Sequence, residues 1–225
     1  MAKIHELIPV EQDKTAVANA LVEEGITTFT KKVEHFQGHI RNVVMYDAER
    51  QQENMTEVKE IVETVPGKLD HIWDALIGAF DVSLAKENSN TSPAARADVL
   101  VNGILVLADI PATALLALEK RIGILKNLYS AIPTLDPTFA WAKDEAAALD
   151  GAMRTIHPQE GYKTEKALRH KVLYEATKEH PAQIEKYTID QNVAKVTVDR
   201  QSGMISPATK ALWLRRISDL QTAVK

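Results

Sequence analysis

His35 and His39 stand four residues apart, and Asp70, His71 and Asp74 gather further on. Two histidines at that spacing on a helix share a face and could hold a divalent metal with a carboxylate from a facing helix. The heptad frame of the surrounding residues, however, places His35, His39 and His71 outside the apolar seam. The chain contains neither the Glu-x-x-His of di-iron bundles nor His-Glu-x-x-His. The three histidines therefore read as solvated flank positions, with no metal and no cofactor expected. Ser206, His180 and Asp190 could be drawn as a triad, but Ser206 precedes Pro207 and suits a helix cap. There is no glycine-rich nucleotide loop and no Gly-x-Ser-x-Gly elbow. No catalytic residue is assigned, and the chain reads as non-catalytic.

A second group carries charge. Lys163, Lys166, Arg169, His170 and Lys171 form a basic cluster, with Tyr162 and Tyr174 at its ends. Basic and aromatic side chains together can grip phosphate and stack bases. The competing reading is an exposed strand whose lysines discourage edge pairing. The net charge of −4 is unevenly divided. Residues 1–150 hold 14 Lys and Arg against 23 Asp and Glu, a balance of −9, whereas residues 151–225 hold 13 against 8, or +5. An acidic body with a basic end can attract another copy or an anionic partner. A pI near 6.0 weighs against a dedicated nucleic-acid binder, so that partner is the less favoured one.

The elements that must position these groups are dominated by two apolar series. Val22, Ile26, Phe29, Val33, Phe36, Ile40 and Val43 recur at steps of four and three. After a polar gap over Asp47–Asn54, Met55, Val58, Val62, Val65, Leu69, Ile72, Leu76 and Ala79 resume the rhythm. That spacing predicts two long helices folded back on each other, the second opening with Asn54 and Glu57 as a capping box and kinked at Pro66-Gly67. Each has one apolar stripe that an isolated helix cannot bury. The seam closes within one chain or, as a coiled coil, between chains. Phe29, Val33, Phe36, Ile40, Leu69, Ile72 and Leu76 are its self-association residues.

Lys86–Ala95 reads as a polar linker. Asn102-Gly103 between two apolar runs then gives the strongest short-range hairpin signal, because a type I′ turn needs positive φ at both positions. Asp109 and Pro111 lead into a helix whose stripe is Leu115, Leu118, Ile122, Leu125, Tyr129 and Ile132, ended by Pro133. A short helix is expected near Asp144–Leu149. Lys171–Glu175, Gln183–Ile189 and Val193–Val198 read as strands, and Ser206-Pro207 opens a last helix with Trp213, Ile217, Leu220 and Val224 on its buried side. The expected fold is α+β, mostly α. A long antiparallel helical hairpin fills residues 1–90. A β-hairpin, a helix and a small C-terminal antiparallel β region with a terminal helix fill residues 91–225, as a second domain or as one continuous domain with the first.

Several stretches together resemble an uncharacterised bacterial protein family, a domain of unknown function. They are Met1–Ile8 (MAKIHELI), Ala97–Val99, Asp109–Leu116 (DIPATALL), Ala131–Pro137 (AIPTLDP), Val172–Gln183 (VLYEATKEHPAQ), and Ser202-Gly203 with Ser206-Pro207-Ala208. The resemblance runs from end to end, though over the first 90 residues only the helical character is similar. It implies membership and no activity.

The absence of Cys excludes disulfides and thiolate chemistry and fits a reducing cytoplasm. No apolar core follows Lys3, so no signal peptide is expected. No run reaches the ~18 apolar residues of a membrane helix. The resulting expectation is a cytoplasmic interaction or structural protein that forms a homo-oligomer through its helical seams and has no membrane partner.

Overall fold

The computed structural model describes residues 4–90, 96–178 and 180–225. Residues 1–3 of the opening motif and residues 91–95 of the expected linker lie outside them, while Lys86 to Asn90 end a helix. Among the described residues there are four α-helices and eight strands. The order is α1 (Ile4–Lys31), β1 (Gln37–Met45), β2 (Met55–Lys59), α2 (Val65–Asn90), β3 (Arg96–Val101), β4 (Ile104–Pro111), α3 (Ala112–Ala131), β5 (Trp141–Lys143), β6 (Met153–Thr155), β7 (Gln159–Tyr174), β8 (Gln183–Ser202) and α4 (Pro207–Val224).

The chain is α+β, but it is not mostly α and the long helical hairpin does not form. Helix takes up about 46% and strand about 34% of it. The chain leaves the helical pattern between Lys32 and Thr64. Val33–Phe36 make one 3-10 turn, and β1 and β2 pair antiparallel, with Ile40 opposite Val58 and Val43 opposite Met55. Tertiary hydrogen bonds take the carbonyls a continuing helix would have used. His35 O accepts from the N–H groups of Val62 (2.9 Å) and Glu63 (3.3 Å), and Phe36 O accepts from Gly203 N–H at 2.9 Å. Val43 and Met45 are buried while Val44 between them is exposed, the two-residue period of a strand. β-branched Val43 and Val44 favour that state.

Two local signals change meaning with this correction. Asn54 does not cap a helix; its Oδ1 accepts from Met45 N–H at 2.8 Å and closes the β1–β2 connection. Pro66 does not kink α2 but sits in its first turn, where a missing N–H costs nothing. The helix expected near Asp144–Leu149 is a run of turns.

The chain divides into two compact units, each built from separate stretches of sequence. Unit one comprises the described residues up to Gln37, then Ile61–Arg154 and Ser202–Lys225. Its core joins Val22 and Phe29 of α1, Phe36 of the 3-10 turn, Val65, Leu69 and Ile72 of α2, Leu128 and Tyr129 of α3, and Ile132, Leu135, Met204 and Ile205. Gly25 lets α1 approach α2 closely, since a Cβ there would stand 2.6 Å from Ile72 Cδ1. Asn102 and Gly103 have φ of 51° and 80°, as the β3–β4 turn requires. Ser206 caps α4 by accepting from Thr209 N–H at 3.0 Å.

Unit two comprises Gly38–Glu60 and Thr155–Gln201. Its core is small: Val43, Met45 and Ala194 are buried, with Val193 and Val196 packed on them. β7 pairs antiparallel with β8 from Gln159 opposite Val198 to Tyr174 opposite Gln183. A 16-residue strand extends about 50 Å at ~3.3 Å per residue.

Candidate functional site

The structure disperses the metal candidates. His35 lies in the 3-10 turn, His39 in β1 opposite Lys59, and His71 on an exposed face of α2, so the one-turn spacing of the first two does not exist. Among the described residues no three His, Cys, Asp or Glu side chains are grouped to hold a metal.

The seam residues are mostly consumed by unit one. Phe29, Phe36, Leu69 and Ile72 are buried in its core, and Val33 and Leu76 are partly buried against it. Ile40 stands half-buried in β1. These side chains offer no apolar stripe to a second chain.

The basic cluster lies on the arm formed by β7 and the facing part of β8, and there it meets acids. Directly opposite residues of an antiparallel pair share a face. Lys166 is opposite Asp190 and Lys171 opposite Glu185, while Arg169 donates to Gln191 at 3.4 Å. Lys163 stands 3.4 Å from Glu165. Arg50 makes two 2.9 Å bonds to Glu165, and its two bonds to Glu53, with those to Glu165, raise its pKa further. Over residues 164–192 five Lys and Arg balance five Asp and Glu. The +5 balance of the C-terminal third therefore arises outside the outer arm, and α4 contributes to it with Lys210, Arg215 and Arg216 against Asp219.

The outer arm also exposes apolar side chains on both faces. Val172 and Ile184 are cross-strand partners, and Leu168 shares their face. Ile189, opposite Ala167, and Tyr187, opposite Arg169, lie on the other. Leu168 is 58% exposed, Val172 53%, Ile184 50% and Tyr174 72%. Among the described strands β7 pairs only with β8, so its far edge has unpaired N–H and C=O groups.

Unit one holds a different feature, an apolar cavity of about 260 Å³. α2 lines it with Trp73, Leu76, Ile77 and Phe80, β4 with Val106 and Leu107, α3 with Leu118, Arg121, Ile122 and Leu125, and α4 with Leu220. Trp73 is fixed by its indole N–H, which donates to Tyr129 Oη at 2.9 Å. Arg121 is the one charged side chain in the wall. Its guanidinium carbon lies 5.8 Å from the Phe80 ring centroid, and burial lowers its pKa against the field of Glu11. Among the described residues Arg121 Nη1 is the one buried side-chain nitrogen or oxygen with no hydrogen-bond partner. Glu11 is engaged elsewhere: Lys86 Nζ stands 2.8 Å from it. Burial pushes the Glu11 carboxyl up, but the hydrogen bonds of Lys86 and Ser83 and the charges of Lys86 and Arg121 hold it below the usual range. Sequence reasoning missed this cavity. The available signal was Arg121 itself, placed one helical turn from both Leu118 and Leu125 in the apolar stripe of α3.

The architecture is thus that of an α+β protein with a helical unit that has an open apolar cavity and a second unit carrying a long two-stranded arm. The chain belongs to a family of unknown function (DUF7873), whose model matches residues 1–225. No curated protein matches it, and no solved structure does. Among the described residues no helix is long and apolar enough to cross a membrane.

Proposed function

We propose that this is a non-catalytic interaction protein that assembles with a second copy of itself, through the β7–β8 arm rather than the helical seam. One observation carries the reading: the outer arm exposes Leu168, Val172, Tyr174 and Ile184 by half or more beside an unpaired strand edge. An isolated two-stranded ribbon is marginal in water, and an open apolar edge is a template for pairing. The balanced charge of residues 164–192 favours a protein partner over a polyanion. β7 is also compatible with itself. An antiparallel two-fold pairing centred on Leu168 sets Glu165 against Lys171 twice and opposes no two formal like charges.

The energies bound the affinity. Full burial of a large apolar side chain is worth ~1.5–3 kcal/mol, so four half-exposed residues on each of two arms contribute about 8 kcal/mol. Each new edge hydrogen bond adds about 1 kcal/mol net. Association costs roughly 4–15 kcal/mol, a cost of the same size as these gains, so the pairing is expected to depend on concentration.

Light scattering after gel filtration tests this, with wild type and Leu168→Asp/Val172→Asp compared across a concentration series. Wild type should move from monomer to dimer mass while the variant, whose two sites are already in water, stays folded and monomeric. A wild type that remains monomeric at millimolar concentration, or a variant that dimerises equally well, would refute the reading.

A further inference from the structure

The regular part of β7 selects one register for the arm's self-pairing, and that register carries a charge conflict. We infer that two copies pair antiparallel about Leu168 with His170 held between two lysines, so that acidification releases them. This rests on the self-assembly proposed above and adds its register and its control by pH.

The register follows from the shape of β7. Its pairing with β8 slips between Lys163 and Thr164 and again between Val172 and Tyr174. Between these slips Thr164–Val172 pair regularly, and Leu168 is the midpoint of that stretch. Bulges bend and twist a strand, so a second strand lies flat along β7 only over the regular stretch. A two-fold antiparallel pairing that uses all of it sets Leu168 against Leu168 of the second copy.

His170 then stands opposite the second copy's Lys166, twice per dimer. In its own arm it is already opposite Lys186, and His170, Lys166 and Lys186 are all exposed. The other neighbours of His170 on that face are Leu168 and Val172 of β7 and Thr188 and Ile184 of β8, which are uncharged. The second copy adds its own Leu168 and Thr164 there. Asp190 of either copy lies opposite Lys166 rather than beside His170, and the second copy's Asp190 is a full strand further away. Glu165 and Glu185, with Arg169 and Lys171, occupy the other face, since side chains alternate along a strand.

A histidine changes charge within the range of about pH 5–8. A protonated His170 completes a row of three cations across β8, β7 and the second β7. Lys186 faces it whether or not the arms are paired, whereas the second copy's Lys166 is added only on pairing. The paired arms therefore take up the proton less readily than separate ones, and by linkage a falling pH favours the separate chains. Two like-charge oppositions of this kind weaken the dimer by about 2- to 30-fold.

Light scattering of the full chain over a concentration series, at low salt and at about pH 8 and about pH 5.5, tests the inference. The wild-type dissociation constant should rise by that factor at the lower pH, while His170→Gln and Lys166→Gln should each give the same constant at both. The chain has no Cys, so single cysteines report the register under mild oxidation. Leu168→Cys should cross-link two chains, because directly opposed Cα atoms lie ~4.5–5.5 Å apart, within the ~4.4–6.8 Å of a disulfide. Thr164→Cys, opposite Val172 in this register, should not. A wild type that stays monomeric at both pH values refutes the arm pairing itself, and this inference with it. A dimer whose constant changes less than about twofold, a pH response that survives in His170→Gln, or cross-linking of Leu168→Cys no faster than Thr164→Cys overturns this inference and leaves the pairing standing.

Discussion

Gly203→Ala should be among the most damaging single-methyl additions in this chain. A Cβ at that position would stand 2.5 Å from Glu63 O and 2.8 Å from Thr64 Cα. Both atoms are backbone, and the segment that holds them cannot easily yield. Val65 N–H donates to Gly203 O at 2.7 Å, Gly203 N–H donates to Phe36 O at 2.9 Å, and Val62 and Glu63 are tied to His35 O. Relieving the clash means separating strands of backbone that these bonds join. Overpacking costs ~1–3 kcal/mol, and losing two backbone hydrogen bonds adds about 2 kcal/mol. The expected loss is therefore about 3–5 kcal/mol, a large share of the ~5–15 kcal/mol of a typical domain. Urea unfolding followed by far-ultraviolet circular dichroism measures it, with Gly123→Ala as the control. Gly123 lies within α3 with nothing within 4 Å of an added Cβ, so alanine there should stabilise by up to ~1 kcal/mol. A Gly203→Ala loss under ~1 kcal/mol would refute the convergence of Phe36, Thr64 and Gly203, and with it the reason residues 33–64 are not helical.

Two further outcomes are expected. Ser206→Ala should cost about 1 kcal/mol in the same assay, because Thr209 N–H loses its acceptor at the start of α4. Glu11 has a folded pKa held below the usual carboxylate range, so the unfolded chain binds the extra proton. Its contribution is fully present above the ordinary Glu pKa and is lost as pH falls through the lower, folded value. Thermal unfolding between pH 6 and 3 should therefore fall more steeply for wild type than for Glu11→Gln; parallel profiles would contradict the Lys86 pairing.

The parts of the fold that could be read from residues were those with a local cause. Asn102-Gly103 demands its turn whatever surrounds it, and Ser206-Pro207 starts a helix by its own chemistry. Val22, Ile26 and Phe29 lie on a real helix. Val33, Phe36, Ile40 and Val43 continue the same spacing without being helical, because steps of three and four do not distinguish a helix from a turn followed by a strand. What decides there is non-local: the acceptors His35 O and Phe36 O are claimed by Val62, Glu63 and Gly203, far along the chain. The strands at 171–175 and 183–189 were legible as pieces, but not that they join one arm whose basic residues face Glu185 and Asp190. The cavity was illegible for a related reason. Its wall comes from three helices and a strand, and Arg121 within an apolar stripe was the sole sign of it in the sequence.

The pairing of β7 is tested most directly by hydrogen exchange along that strand, measured on wild type over a hundredfold range of concentration. The account predicts that β7 amides not bonded to β8 exchange freely when dilute and gain protection at the concentrations where the mass doubles. Exchange at those amides that is independent of concentration while the mass doubles would place the contact elsewhere and contradict it.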